Sequence, residues 1–181
     1  MQSILYLHGF HSSPFSEKAQ IFKRQVAENY GEIEIIAPQL PVYPMEAIEL
    51  VSELCREHRN SLIGAVGSSL GGYLATYLHN EYGLPIAVVN PAVTPFELLA
   101  DYLGPQVQPI TNQAYRLDAQ HMVELKSIYS ESIATPEKVW VLQQEGDEVL
   151  DYRQALGHYH KCRLTLEPDG CHGFDGFERY P

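Results

Sequence analysis

The residues with the most chemistry in this chain are Gly67-Ser68-Ser69-Leu70-Gly71, a serine with glycines two positions to either side. A serine on a tight strand-to-helix turn holds strained dihedrals, and its neighbours two residues away must be small to avoid clashes. The flanking segments suit that geometry. Leu62–Val66 is a short apolar strand run, and Tyr73 to Tyr82 reads as a helix closed by Gly83. A helix beginning at Leu70 would aim free N–H groups and a positive dipole end at the serine. The plainer reading is a Gly/Ser-rich turn in which Ser69 merely caps the helix.

A serine hydroxyl needs a base to take its proton, and the base needs an orienting carboxylate. Asp169-Gly170-Cys171-His172-Gly173-Phe174 follows a strand candidate, Arg163–Leu166, and places His172 in a glycine-flanked loop. The other histidines lack such a position after a late strand. Glu145-Gly146-Asp147-Glu148-Val149 directly follows the strand candidate Val139–Leu142. Asp147 is preferred over Glu145, Glu148 and Asp151 because it follows Gly146 at the turn, while Asp151 has the place of a helix N-cap. Acyl transfer also needs backbone donors for the developing oxyanion. His8-Gly9-Phe10 ends the first strand candidate, Ile4–Leu7, so the N–H groups of Phe10 and Leu70 are the expected pair, with His8 organising the loop. An ordinary strand-ending turn is the alternative for His8-Gly9.

These residues must be carried by elements that bring them to one edge. Helical spacing runs from Pro14 to Tyr30, Pro44 to Arg59, Tyr152 to Tyr159 and Phe174 to Arg179, alternating with strand candidates that also include Ile33–Ala37 and Ile86–Val89. That alternation predicts an α/β protein with a mostly parallel sheet of about six strands and helices on both faces. Ligands bind outside the carboxyl ends of such strands, where all three side chains fall. Residues 1–181 read as one domain, with 91–136, rich in proline and turn chemistry, as a lid-like insertion beside that edge.

Composition excludes other classes. The net charge is −11 over 181 residues, whereas a nucleic-acid binder needs clustered Lys and Arg to meet phosphates. A membrane-surface role is disfavoured for the same reason, and no apolar run is long enough to span a bilayer. Cys55, Cys162 and Cys171 do not form a disulfide framework, and the N-terminus lacks a signal-peptide pattern, so a cytoplasmic location is expected. His158, His160 and Cys162 lack the paired spacing of metal ligands, and phosphate-cradling glycine motifs are absent, so neither a metal nor an organic cofactor is expected. Glu46, Glu49, Glu53 and Glu57 share a helix face expected to be solvated.

Leu7-His8-Gly9-Phe10, Gly67 to Gly72, Gly146-Asp147-Glu148-Val149 and Gly170-Cys171-His172-Gly173-Phe174 together resemble the α/β-hydrolase superfamily, whose chain order is likewise Ser, Asp, His. The short chain, with its Leu-His-Gly-Phe opening followed by Ser-Ser-Pro, is more closely similar to the small bacterial YqiA-type esterases. The resemblance implies a serine carboxyl-ester hydrolase with Ser69, Asp147 and His172 as its triad; the sequence departs from larger relatives in ending nine residues after His172, so a clipped final helix is expected. The expected substrate is a small ester with a short acyl chain. Alternatives are an acyl thioesterase and a catalytically silent binding module of the same fold.

Overall fold

The strands are short runs of Ile, Leu and Val ending in glycine, proline or polar residues, as suits strands covered on both faces. The structure, a computed structural model, describes residues 1–180. Its elements in chain order are β1 (Gln2–Leu7), α1 (Glu17–Asn29), β2 (Ile33–Ile36), α2 (Pro44–Glu57), β3 (Leu62–Ser68), α3 (Leu70–Tyr82), β4 (Ile86–Val89), α4 (Pro95–Leu98), β5 (Gly104–Val107), β6 (Ala114–Leu117), α5 (Ala119–Ser127), β7 (Val139–Gln144), α6 (Tyr152–His158) and β8 (Arg163–Glu167). Six strands form one parallel sheet in the order β2-β1-β3-β4-β7-β8. This is the parallel α/β sheet expected from the alternation, in the architecture that the resemblance to α/β-hydrolases implies. No helix among the described residues is long and apolar enough to cross a membrane.

Alternation along each strand sorts the core into two layers. Leu5, Leu7, Ala65, Val88 and Val141 pack against Val51 of α2, Leu74 and Leu78 of α3, and Ala155 of α6. The intervening Tyr6, Val66, Val89 and Leu142 meet Ala19, Phe22 and Val26 of α1, together with Phe174 and Phe177. After β1 the chain turns outward to β2, then crosses back to place β3 on the other side of β1. The loops leaving β1 and β3 therefore diverge, which opens a crevice at the carboxyl edge. Register makes those two ends level: Leu7 lies beside Gly67, and Ser68 beside Val89.

Two regions depart from expectation. Within residues 91–136 the chain forms, beside the short helices α4 and α5, an antiparallel hairpin, β5–β6, which its residue pattern does not predict. Its period of two is carried only by buried Tyr115 and Leu117, too short a run to stand out from the surrounding prolines. Gln108 builds the turn, its Oε1 accepting from the N–H of Ile110 (2.5 Å) and of Thr111 (2.8 Å). The helix read at Phe174–Arg179 is only a 3₁₀ turn over Phe177–Arg179. Phe174 (φ 65°) and Gly176 (φ 73°) both lie in the left-handed region, which breaks a right-handed helix.

Candidate active site

Ser69 sits between the last residue of β3 and the first of α3 with φ 56° and ψ −119°, a region a β-carbon residue rarely adopts. Backbone bonds hold it there. Its N–H donates to Val89 O (3.1 Å), and its carbonyl accepts from Gly72 (2.9 Å) and Ala92 (3.0 Å). The hydroxyl makes no capping hydrogen bond to α3, so the plain cap reading does not describe it. Close approach explains the glycines. A Cβ on Gly67 would overlap the Gly71 carbonyl, and one on Gly71 would overlap Leu7 O and lie 2.7 Å from His8 O. Glycine at 71 thus lets the α3 N-terminus touch the end of β1, so the serine turn and the His8–Phe10 loop meet.

His172 and Asp147 converge on this serine. His172 Nε2 lies 3.1 Å from Ser69 Oγ, and Nδ1 lies 2.9 Å from each carboxylate oxygen of Asp147. The Asp147 side chain is fully covered, and that of His172 is 24% exposed, enough to meet a substrate from one side. Asp147 Oδ1 also accepts from the N–H groups of Val149 and Leu150, both at 2.9 Å. A buried carboxylate needs such donors to remain ionised. With Asp147 accepting from Nδ1–H, Nε2 carries the lone pair that faces the hydroxyl, the tautomer required for a proton acceptor.

Sequence reasoning missed the residues that hold the His172 loop. Asn90, fully buried at the end of β4 with φ 41°, donates from Nδ2 to the carbonyls of Cys171 (2.9 Å) and His172 (3.1 Å). Its Oδ1 accepts from Gln144 N–H at 2.9 Å. Gln144 Oε1 in turn accepts from Cys171 N–H (3.2 Å) and Asp175 N–H (2.8 Å). The Glu148 carboxylate accepts from His172 N–H at 2.9 Å. The available signal was a polar residue ending an otherwise apolar buried strand, Asn90 after Ile86–Val89 and Gln144 after Val139–Leu142. Asn90→Leu would remove three hydrogen bonds and strand their buried partners. It is expected to lower unfolding free energy by about 3–5 kcal/mol, read as a shift in the urea midpoint.

The loop after β1 lies over the serine. A Cβ on Gly9 would come 3.2 Å from Ser69 Cβ. His8 is buried, and burial lowers its pKa, keeping the ring neutral. Its Nδ1–H donates to Gly9 O (2.8 Å) while Nε2 accepts from Leu40 N–H (2.9 Å). Both ring nitrogens are therefore committed to the loop and not to proton transfer. Among the described residues the N–H groups of Phe10 and Leu70 find no acceptor within the protein. His11, also unforeseen, stacks on Phe10 with ring centroids 3.9 Å apart and shares a 2.6 Å hydrogen bond with Tyr115 on β6, tying this loop to the hairpin.

A cleft of about 380 Å³ opens over Ser69 and His172 and is walled on the far side by Ser12, Ser16 and Lys18. Burial pushes the Lys18 ammonium down to about 8, partly opposed by the negative charges of Asp147 and Glu17. Cys171 also lines the cleft. Its thiol donates to Asp175 Oδ1 at 3.2 Å, which together with burial raises its pKa and keeps it protonated. A second, apolar cavity of about 30 Å³ lies beneath the side chains of Phe10 and Leu70, closed by Leu99 and Leu125. A polar cleft thus opens onto one serine with a poised imidazole. Such a site can attack a carbonyl and shuttle the proton.

Known proteins share this architecture. A family model described as "Uncharacterised protein family (UPF0227)" matches residues 3–181. Among solved structures, Est1E from Butyrivibrio proteoclasticus with ferulic acid bound superposes with a TM-score of 0.74 at 10% identity, over 99% of this chain and 84% of that one. The monoacylglycerol lipase of Paleococcus ferrophilus gives 0.68 at 11% identity, over 94% and 85%. Mouse alpha/beta hydrolase domain-containing protein 10 gives 0.66 at 14% identity, over 98% and 85%. At these identities the likeness is one of fold.

Proposed function

The chain belongs to the UPF0227 family and has an α/β-hydrolase fold, and from its site we propose that it is a serine esterase acting on small carboxylic esters. The observation that carries this reading is the continuous chain of hydrogen bonds from Asp147 through His172 to a serine hydroxyl that caps nothing. Ser69 Oγ attacks the ester carbonyl as His172 Nε2 takes its proton. The negative charge forming on the carbonyl oxygen is met by the N–H groups of Phe10 and Leu70. His172 then hands the proton to the departing alcohol, leaving an acyl group on Ser69. Water then attacks the acyl carbonyl as it gives a proton to His172, and His172 returns that proton to Ser69 Oγ as the bond to Ser69 breaks and the carboxylic acid leaves. Asp147 holds the ring orientation and balances the imidazolium formed in each half-reaction.

The acyl group is short in this reading. In this reading the acyl group enters the apolar cavity lined by Phe10, Leu70, Leu99 and Leu125, whose volume of about 30 Å³ has room for one or two water-sized groups and not for a fatty chain. In a p-nitrophenyl series, acetate and propionate are expected to exceed octanoate in kcat/KM by about tenfold or more. Leu99→Ala, which enlarges that cavity, should move the optimum to longer chains. A fluorophosphonate probe should attach to Ser69, located by peptide mass mapping. Attachment elsewhere or none at all would refute the nucleophile assignment and favour a silent binding module. Matched oxygen and sulfur esters separate an esterase from a thioesterase.

A further inference from the structure

Among the described residues, Lys18 is the only lysine or arginine lining the cleft over Ser69. It pairs with no carboxylate among the described residues, the ion pairs there being Arg116–Asp118, Arg153–Asp151, His172–Asp147 and Arg179–Glu167. Its Nζ donates once, to the carbonyl of Gly173 at 2.8 Å, which leaves two N–H groups without a protein acceptor. The position is a costly one for a cation. Lys18 is the second residue of α1, where the helix dipole disfavours positive charge, and it is half-buried in the wall. A lysine held against both penalties without a carboxylate partner has the chemistry of a ligand contact.

We propose that Lys18 binds an anionic group, carboxylate or phosphate, carried on the alcohol portion of the ester. This inference rests on the serine-esterase reading. The alcohol side is the one assigned because the esterase reading places the acyl group in the small apolar cavity, while the larger cleft offers Ser12, Ser16 and the ammonium. Glu17, Asp175 and Glu178 line the same cleft as exposed residues, and the whole chain carries −11. A lone cation in that surround suits one anionic group in direct contact rather than a polyanion.

The test compares 4-acetoxybenzoate and 4-acetoxyphenyl phosphate with neutral 4-acetoxybenzamide, using kcat/KM in the wild type, Lys18→Met and Lys18→Arg. The anion-to-neutral ratio is expected to fall about tenfold in Lys18→Met, mostly through KM, and to be largely restored in Lys18→Arg. The larger of the two ratios identifies carboxylate or phosphate. The groups facing the ammonium are Glu17 on α1, Asp147 after β7 and Cys171 after β8. KM for the anionic ester should therefore rise as pH passes about 8 and Lys18 loses its proton, while that for the amide does not follow it. An unchanged ratio, or equal loss on all three esters, overturns the proposal and leaves Lys18 as a strut for the Gly173 loop. If the protein neither takes the fluorophosphonate nor cleaves any ester, the esterase reading fails separately. Calorimetry with 4-hydroxybenzoate then decides the anion site: binding lost in Lys18→Met supports it, and no binding or equal binding removes it.

Discussion

Ser69→Ala is expected to lower ester turnover about 10⁵-fold and to abolish fluorophosphonate labelling, with almost no change in stability. The hydroxyl is the only atom lost, and it caps no helix, so folding does not depend on it. The strained backbone at φ 56° is held by bonds from Val89, Gly72 and Ala92 that alanine retains. Adding His172→Ala to this variant should cost little more. Nucleophile and base act as one unit, and the remaining rate over water comes from the amides of Phe10 and Leu70. Steady-state rates on p-nitrophenyl acetate, with circular dichroism as the folding control, provide the measurement. A Ser69→Ala enzyme retaining more than about a hundredth of the rate would point to another nucleophile.

Asp147→Asn should reduce kcat at neutral pH by about 10⁴-fold while leaving KM nearly unchanged. An asparagine can keep the place of the carboxylate, and its carbonyl can still accept from Val149 and Leu150 N–H. Its amide would then donate to His172 Nδ1, which moves the ring proton to Nε2. That nitrogen would face Ser69 Oγ across the same 3.1 Å with a hydrogen where the lone pair is needed. The wild-type ring, with its proton on Nδ1, keeps that lone pair free to accept the serine proton. The pH–rate profiles of the two proteins, measured with the neutral acetate ester, separate a tautomer defect from loss of fold. Glu148→Gln supplies the contrast: Glu148 accepts the His172 backbone N–H and not the ring, so its replacement should cost far less.

Much of this arrangement is legible in the residues. A strand run, then Gly-x-Ser-x-Gly, then a helix-forming run determines locally where Ser69 sits, because only small neighbours fit beside the Gly71 carbonyl and the end of β1. The six parallel strands follow from apolar runs of four to seven residues separated by helical periods. His172 and Asp147 follow the ends of such strands, so a parallel sheet delivers them to one edge. The hairpin β5–β6 was not legible, since four-residue strands bounded by prolines carry too little periodicity. The missing last helix was not legible either, because Phe174 in a left-handed conformation is imposed by the loop it closes and not by its own preference.

The sequence by itself determined the alternation of the six sheet strands with helices, and with it the edge at which serine, aspartate and histidine emerge, since the hydrophobic period is a local property of the chain. Only the tertiary structure decided that the three meet at 2.9 and 3.1 Å, that Asn90 and Gln144 fasten the histidine loop, and that Lys18 on α1 turns its ammonium to the same cleft. Those relations join residues from 25 to 155 positions apart and depend on register and side-chain direction. A hydrogen bond forms within a few tenths of an ångström, a tolerance that spacing along a chain cannot specify and a packed core can.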